Sequence, residues 1–219
     1  MDYSKIKCVI FDFDGVIADT DTSRYAIMQD LLLPYGFDFQ KQFKIEQLVG
    51  KSTSAFLKQY YSQIPEDERK KLALNRQTMY VDDLNKYCKT YHGAVDTLRK
   101  LKVSGKDLRL ATANDKWVVD KVLIHLQISD CFSKIYYKDV TENEQGNKDY
   151  SNVKNAIEYA QNQCVVVEDS PVGVAGAKRA GYYCMAFNHF NIQEISQSAD
   201  VVIQSFADLK SLILGMENR

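Results

Sequence analysis

Short apolar segments alternate with helical patterns from residue 93 onward, and this alternation constrains the fold more than any other feature of the sequence. The apolar segments are predicted strands at 108–111, 134–137, 164–167, 182–187 and 201–203. The segments around them are predicted helices at 93–103, 115–126, 149–161, 172–180 and 206–213. Largely apolar strands separated by helices are typical of a parallel sheet covered on both faces. The sequence therefore predicts an α/β fold.

Residues 21–90 follow a different pattern, because no stretch in them reads as a strand. Helical patterns occur at 24–33, 42–49, 52–62 and 66–88. An apolar strand at 6–11 precedes this block, so we interpret the block as an insertion in a single domain. The predicted organisation is a Rossmann-like three-layer core with a central parallel sheet (1–20 and 91–219) and an inserted all-helical cap domain (21–90). The crossings near Thr20 and His92 are candidate hinges for a cap that opens and closes.

Composition and charge argue against several classes of partner. The chain has 219 residues, is 45% hydrophobic and carries a formal net charge of -1. Nucleic acids and anionic membranes attract basic surfaces, so we expect neither as a partner. The sequence has no secretory signal and no run of about 20 apolar residues that would span a membrane. The five cysteines are scattered and form no Cys-x-x-Cys pair, which is typical of buried, reduced thiols, so we predict a cytoplasmic protein. The sequence says nothing about oligomeric state, and we take a monomer as the default.

Two acids stand directly after the first predicted strand, in the string Asp12-Phe13-Asp14-Gly15. The carboxyl ends of parallel strands are where α/β sheets bind ligands, and Gly15 allows a sharp turn there. Two carboxylates so close repel each other unless a cation or a shared proton lies between them. We therefore predict Mg²⁺ binding and an acid–base role here, although loop aspartates also occur as solubilising residues or helix caps.

Polar residues follow two further predicted strands. Thr112-Ala113-Asn114 comes after the predicted strand 108–111. Thr112 is either a phosphate ligand or a helix N-cap, and Asn114 is a second candidate for binding the substrate. Glu168 and Asp169 come after 164–167 and precede a helix start that is rich in small residues. Carboxylates are hard oxygen ligands that suit Mg²⁺, although these two could also simply cap the following helix.

A further polar stretch, Gln145-Gly146-Asn147-Lys148-Asp149-Tyr150, precedes the predicted helix at 149–161. With this stretch as the third, the four polar stretches resemble, in chain order, the motifs of the haloacid dehalogenase superfamily. The first motif matches at Asp12, Asp14, Gly15, Val16, Asp19 and Thr20, and the fourth matches from Glu168-Asp169-Ser170 to Ala180-Gly181. Thr112 occupies the second motif. Lys148 occupies the third, which lacks the two prolines usual in the family, and Lys138 and Lys154 compete for that position. The helical insertion resembles the C1-type cap of the beta-phosphoglucomutase-like and phosphoglycolate-phosphatase-like branch.

This resemblance implies a mechanism and a set of site residues. Asp12 would attack phosphorus to give an aspartyl-phosphate, and Asp14 would protonate the leaving alcohol and later take a proton from water. Lys148 and Thr112 would hold the transferring phosphoryl group. Mg²⁺ would be bound by the Asp12 and Asp169 side chains and by the backbone carbonyl of Asp14. Glu168 would bind it directly or through water.

The resemblance predicts a Mg²⁺-dependent phosphatase that acts on a small phosphorylated metabolite. The alternatives are a sugar-phosphate mutase and a non-catalytic binding protein with the same fold. Against a mutase, Arg24 stands where the mutases of this branch carry histidine, and Gly50-Lys51-Ser52 lacks the arginine that follows their cap turn. The residues predicted to line the substrate pocket are Arg24, Gly50, Lys51, Ser52, Thr112, Ala113 and Asn114. For those in the cap, a surface or helix-capping role is the alternative.

Overall fold

A computed structural model describes residues 2–143 and 148–215. The chain forms two compact units. The core unit consists of Met1–Ala18 and Thr90–Arg219, and the helical unit consists of Asp19–Lys89. Within the core unit Ala18 pairs with Thr90, and within the helical unit the Asp19 N–H donates to the Lys89 carbonyl at 2.8 Å. The chain therefore passes between the units after Ala18 and returns after Lys89.

The helical unit contains five helices: α1 (Thr20–Leu32), α2 (Phe39–Gln42), α3 (Thr53–Tyr60), α4 (Glu66–Asp82) and α5 (Leu84–Tyr87). The predicted helix at 42–49 is wrong, because the backbone of Phe43 is extended and only a 3-10 turn follows at Ile45–Gln47. This extended residue packs its ring against Phe56 and Tyr60 in the centre of the unit. The predicted helix at 66–88 is broken at Asp83, whose side chain accepts from the Lys86 N–H and caps α5.

Six parallel strands form the sheet of the core unit: β1 (Cys8–Phe11), β2 (Asp107–Ala111), β3 (Lys134–Tyr136), β4 (Cys164–Glu168), β5 (Tyr183–Phe187) and β6 (Val201–Ile203). Their order is β3-β2-β1-β4-β5-β6, so β1 lies between β2 and β4. Every residue of β1 and β4 is buried, as their apolar sequences require. The prediction of an α/β fold with a central parallel sheet is confirmed.

Seven helices belong to the described part of the core unit: α6 (Ala94–Val103), α7 (Lys116–His125), α8 (Lys138–Thr141), α9 (Ser151–Asn155), α10 (Pro171–Arg179), α11 (Gln193–Ser198) and α12 (Phe206–Leu214). The predicted helix at 149–161 is wrong beyond its first turns, since α9 ends at Asn155. The Ala156 carbonyl accepts from Arg109 Nη1 on β2 at 3.1 Å instead of continuing the helix. The short helices α8 and α11 were not predicted.

Two features bear on the earlier expectations about the environment of the chain. Across residues 2–143 and 148–215, no helix is both long enough and apolar enough to cross a membrane. All five cysteines are free thiols, and Cys88 is the one that is not fully buried.

Candidate active site

The first acidic string lies at the carboxyl end of β1, in the centre of the sheet. The Asp12 N–H donates to the Val167 carbonyl at 2.9 Å, which fixes the end of β1 against β4. Gly15 has a φ of +73°, and a Cβ on it would lie 1.8 Å from Asp169 Oδ2. A glycine is therefore required here, both for its backbone conformation and because it lets the loop after β1 approach the acids after β4.

Lys148 lies between two of the acids. Its Nζ is 2.5 Å from Asp12 Oδ1 and 2.9 Å from Glu168 Oε1, and its side chain is only 7% exposed. A β-bridge between Glu142 and Lys148 positions the backbone, not a helix that begins at residue 149. The competing lysines do not take this place, since Lys138 pairs with Glu142 and Lys154 is exposed on α9. Residues 145–147 of the predicted third motif lie outside the described residues.

Glu168 is the last residue of β4 and is fully buried. Its Oε1 contacts Lys148 and accepts from the Tyr150 hydroxyl at 2.7 Å. Its Oε2 accepts from the Asp169 N–H at 3.1 Å and from Ser170 Oγ at 3.3 Å. The N-cap of α10 is Ser170, which accepts from the Gly173 N–H, so Glu168 and Asp169 are not the capping residues. The two acids therefore lie at the carboxyl end of β4 without capping α10.

The segment after β2 lies beside Asp14. Thr112 is fully buried, and its Oγ1 accepts from the Asn114 N–H at 3.1 Å. Asn114 Nδ2 is 3.3 Å from Asp14 Oδ2. Ala113, which stands between Thr112 and Asn114 in the sequence, is exposed. The N-cap of α7 is Asp115, so Thr112 is not the cap that its sequence position allowed. The structure therefore brings the first, second, third and fourth polar stretches to one edge of the sheet.

The charge balance at this edge favours a bound cation. Carboxylate oxygens of Asp12, Glu168 and Asp169 lie within 4.8 Å of one another, and all three residues are buried. Burial and the adjacent Glu168 carboxylate raise the pKa of Asp12 well above its usual value, although Lys148 opposes this shift. Burial disfavours the Lys148 ammonium, but Asp12 and Glu168 outweigh it and raise the pKa of Lys148. Because one lysine does not offset three buried acids, this donor set fits a divalent metal such as Mg²⁺.

The remaining predicted residues lie together in the helical unit. Arg24 Nη1 donates to the Lys51 carbonyl at 2.5 Å, and Nη2 contacts the Asp21 carboxylate at 2.5 Å and the Leu48 carbonyl at 2.6 Å. Ser52 is the N-cap of α3, and Gly50 has a φ of +71°. Arg24 thus links α1 to the turn at 48–51, and Ser52 has the capping role that was the alternative for the cap residues.

Tyr150 and Gly173 contact the acids but were not among the predicted site residues. Tyr150 is fully buried, and its hydroxyl donates to Glu168. A Cβ on Gly173 would lie 2.1 Å from the Glu168 carboxyl carbon. The small residues at the start of α10 indicated close packing there, and Tyr150 stands two residues after Lys148, but no pattern in the sequence predicted that its hydroxyl bonds to Glu168.

Comparisons with known proteins concern the family and the fold of the chain. A family model described as haloacid dehalogenase-like hydrolase matches residues 9–187. The phosphatase-like protein YhcW of Bacillus subtilis is 25% identical over 227 residues, which cover 95% of this chain and 96% of that protein. The bifunctional riboflavin kinase/FMN phosphatase of Arabidopsis thaliana is 27% identical, and the match covers 93% of this chain but only 54% of that protein. The crystal structure of beta-phosphoglucomutase from Clostridium difficile superposes with a TM-score of 0.73 at 24% identity, covering 93% of both chains.

Proposed function

The chain belongs to the haloacid dehalogenase-like hydrolase family, and from this premise we propose that it is a Mg²⁺-dependent phosphatase of small phosphomonoesters. The observation that carries the proposal is the buried contact of Lys148 with Asp12 and Glu168 at the carboxyl edge of the sheet. The nucleophile can attack the phosphorus of a phosphate ester. The cation in contact with it can offset the negative charge of the phosphoryl group. Relatives named as phosphatases support the same reaction class.

In the proposed reaction Asp12 attacks phosphorus, and the bond between phosphorus and the leaving alcohol oxygen breaks. Asp14, which is partly exposed beside Asn114, gives its proton to that oxygen. Water then attacks the aspartyl-phosphate, Asp14 takes the proton back, and inorganic phosphate leaves with Asp12 restored. Lys148 holds the phosphoryl group through its charge, and Thr112 and Asn114 bind its oxygens.

The proposed Mg²⁺ ligands are Asp12, the Asp14 carbonyl and Asp169, with Glu168 beside them. When bound, Mg²⁺ would polarise the phosphoryl group and neutralise charge that develops during transfer. The three-acid cluster supports this assignment through its donor chemistry.

The helical unit is the proposed cap, and we assign the choice of substrate to it. Arg24, Gly50, Lys51 and Ser52 are the proposed contacts, together with Ala113 in the core unit. The monomeric state and the cytoplasmic location stay predictions.

The test is phosphate release from a panel of sugar phosphates, nucleotides and other phosphomonoesters in the presence of Mg²⁺. Wild type is compared with Asp12→Asn, which removes the nucleophile but keeps the size of the side chain. The matched control is Asp107→Asn, since Asp107 is also paired with a cation, Arg109, but stands at the opposite end of a neighbouring strand. We expect selective release by wild type and the control, lost in Asp12→Asn and on chelation.

A panel without any release by wild type would contradict the phosphatase proposal. Conversion of sugar 1-phosphates to their 6-phosphates would then identify the mutase alternative. Ligand binding without turnover, equal in wild type and Asp12→Asn, would identify the binding-protein alternative.

A further inference from the structure

Tyr150 is a buried hydroxyl donor beneath the candidate site. Its exposed fraction is 0%, and its hydroxyl is 2.7 Å from Glu168 Oε1. The ring lies 5.4 Å from Lys148 Nζ, and a Cβ on Gly176 would approach its Cδ2 to 3.6 Å. The buried ring therefore lies near both the Lys148 side chain and α10.

Among the described residues, four polar groups bond to the Glu168 carboxylate, and Tyr150 differs from the other three. The Asp169 N–H and Ser170 Oγ, which belong to the next two residues of the chain, bond to Oε2. Lys148 contacts Oε1 but is shared with Asp12. Tyr150 is thus the neutral donor from outside the strand that contacts Oε1 and is not shared with Asp12.

The close packing around Glu168 leaves its carboxylate little room to adopt another orientation. A Cβ on Gly173 would lie 2.1 Å from its carboxyl carbon, so α10 packs directly against it. A buried carboxylate that loses a hydrogen-bond donor must find another partner or reorient. With α10 closing one side, the change would fall on Lys148 and on the acids Asp12 and Asp169.

We propose that Tyr150 is a positioning residue that fixes the Glu168 carboxylate for metal binding, an inference that rests on the proposed Mg²⁺ site. Hydrogen bonds from the surrounding protein orient metal-binding carboxylates, and their loss typically lowers metal affinity about 10- to 100-fold. The role is positional, because Tyr150 reaches the site through Glu168.

The test measures Mg²⁺ binding to the full chain by isothermal titration calorimetry, without any phosphate ester. Tyr150→Phe keeps the ring and removes the hydroxyl, and we expect the Kd for Mg²⁺ to rise about 10- to 100-fold. The matched control is Tyr136→Phe, since Tyr136 lies in the same hydrophobic cluster and its hydroxyl contacts Arg109 at 2.8 Å. The control should bind Mg²⁺ like wild type. Circular dichroism verifies that each variant is folded.

A double-mutant cycle tests the route of the effect. Glu168→Gln is combined with Tyr150→Phe, and the Mg²⁺ Kd is measured for all four proteins. If Tyr150 acts through Glu168, Tyr150→Phe changes the Kd much less in the Glu168→Gln background than in wild type. An equal change in both backgrounds, or no change in wild type, would overturn the inference.

The two proposals can fail separately. Mg²⁺ binding that depends on Tyr150, without phosphate release by wild type, would support the positioning role and contradict the phosphatase. Phosphate release with a Kd unchanged in Tyr150→Phe would do the reverse. Absence of Mg²⁺ binding to wild type would overturn the positioning role and also remove the proposed cofactor.

Discussion

Replacing Lys148 with methionine should destabilise the core unit strongly. At contacts of 2.5 and 2.9 Å, each attraction to Asp12 and Glu168 amounts to about 6 kcal/mol for an effective dielectric constant of about 20. Desolvation of the lysine offsets much of that attraction. Removing one partner of a buried ion pair therefore costs a net of about 3–5 kcal/mol. We expect the free energy of unfolding of Lys148→Met to fall by this amount at a pH where Asp12 is ionised in the folded state.

The deficit should depend on pH with a definite sign. Burial and Glu168 raise the pKa of Asp12 above its usual 3.8, so the folded state binds more protons than the unfolded state above that pH. The free energy of unfolding then falls as pH rises through this window. Lys148 opposes the shift, so its removal enlarges the effect. The deficit should be smallest near pH 4 and reach its full size above the folded pKa of Asp12.

Urea unfolding provides the assay. Trp117 is the single tryptophan and lies on α7 of the core unit, so its fluorescence follows the unit that carries the site. The control is Lys178→Met, which breaks a more exposed pair with Asp200 and should cost less than about 1 kcal/mol. A deficit in Lys148→Met that equals the control and does not vary with pH would refute the reasoning.

Three further outcomes are expected. Gly173→Ala should abolish phosphate release, because its Cβ would overlap the Glu168 carboxylate, whereas Gly105→Ala has a positive φ but open space and should remain active. Arg24→Met should lower the free energy of unfolding of the helical unit by about 1–3 kcal/mol, since it frees the Lys51 and Leu48 carbonyls, and hydrogen exchange within residues 19–89 would detect this. Mg²⁺ at 100 times its Kd should raise the free energy of unfolding by about 2.7 kcal/mol in wild type, and a midpoint unchanged by Mg²⁺ would contradict the metal site.

The short-range patterns of the sequence predicted the sheet and most of its polar edge. An apolar strand followed at once by acids can be read locally, and Asp12, Glu168 and Asp169 stand where that pattern put them. Helix ends were predicted less well. Ala156 leaves the helical pattern because its carbonyl meets Arg109, a residue 47 positions earlier, which no local pattern records.

By itself, then, the sequence determined that a parallel sheet would form with acids at the carboxyl ends of its strands, because strand burial and turn chemistry are local properties. The motif resemblance already favoured Lys148 as the lysine beside those acids, but only the tertiary structure decided how Lys148 reaches them and which hydroxyl supports them. Lys148 was selected over Lys138 and Lys154 by the bridge with Glu142, and Tyr150 was brought to Glu168 by packing against α10. The contact of Tyr150 with Glu168 joins two segments that only the fold brings together, so periodicity along the chain carries no record of it.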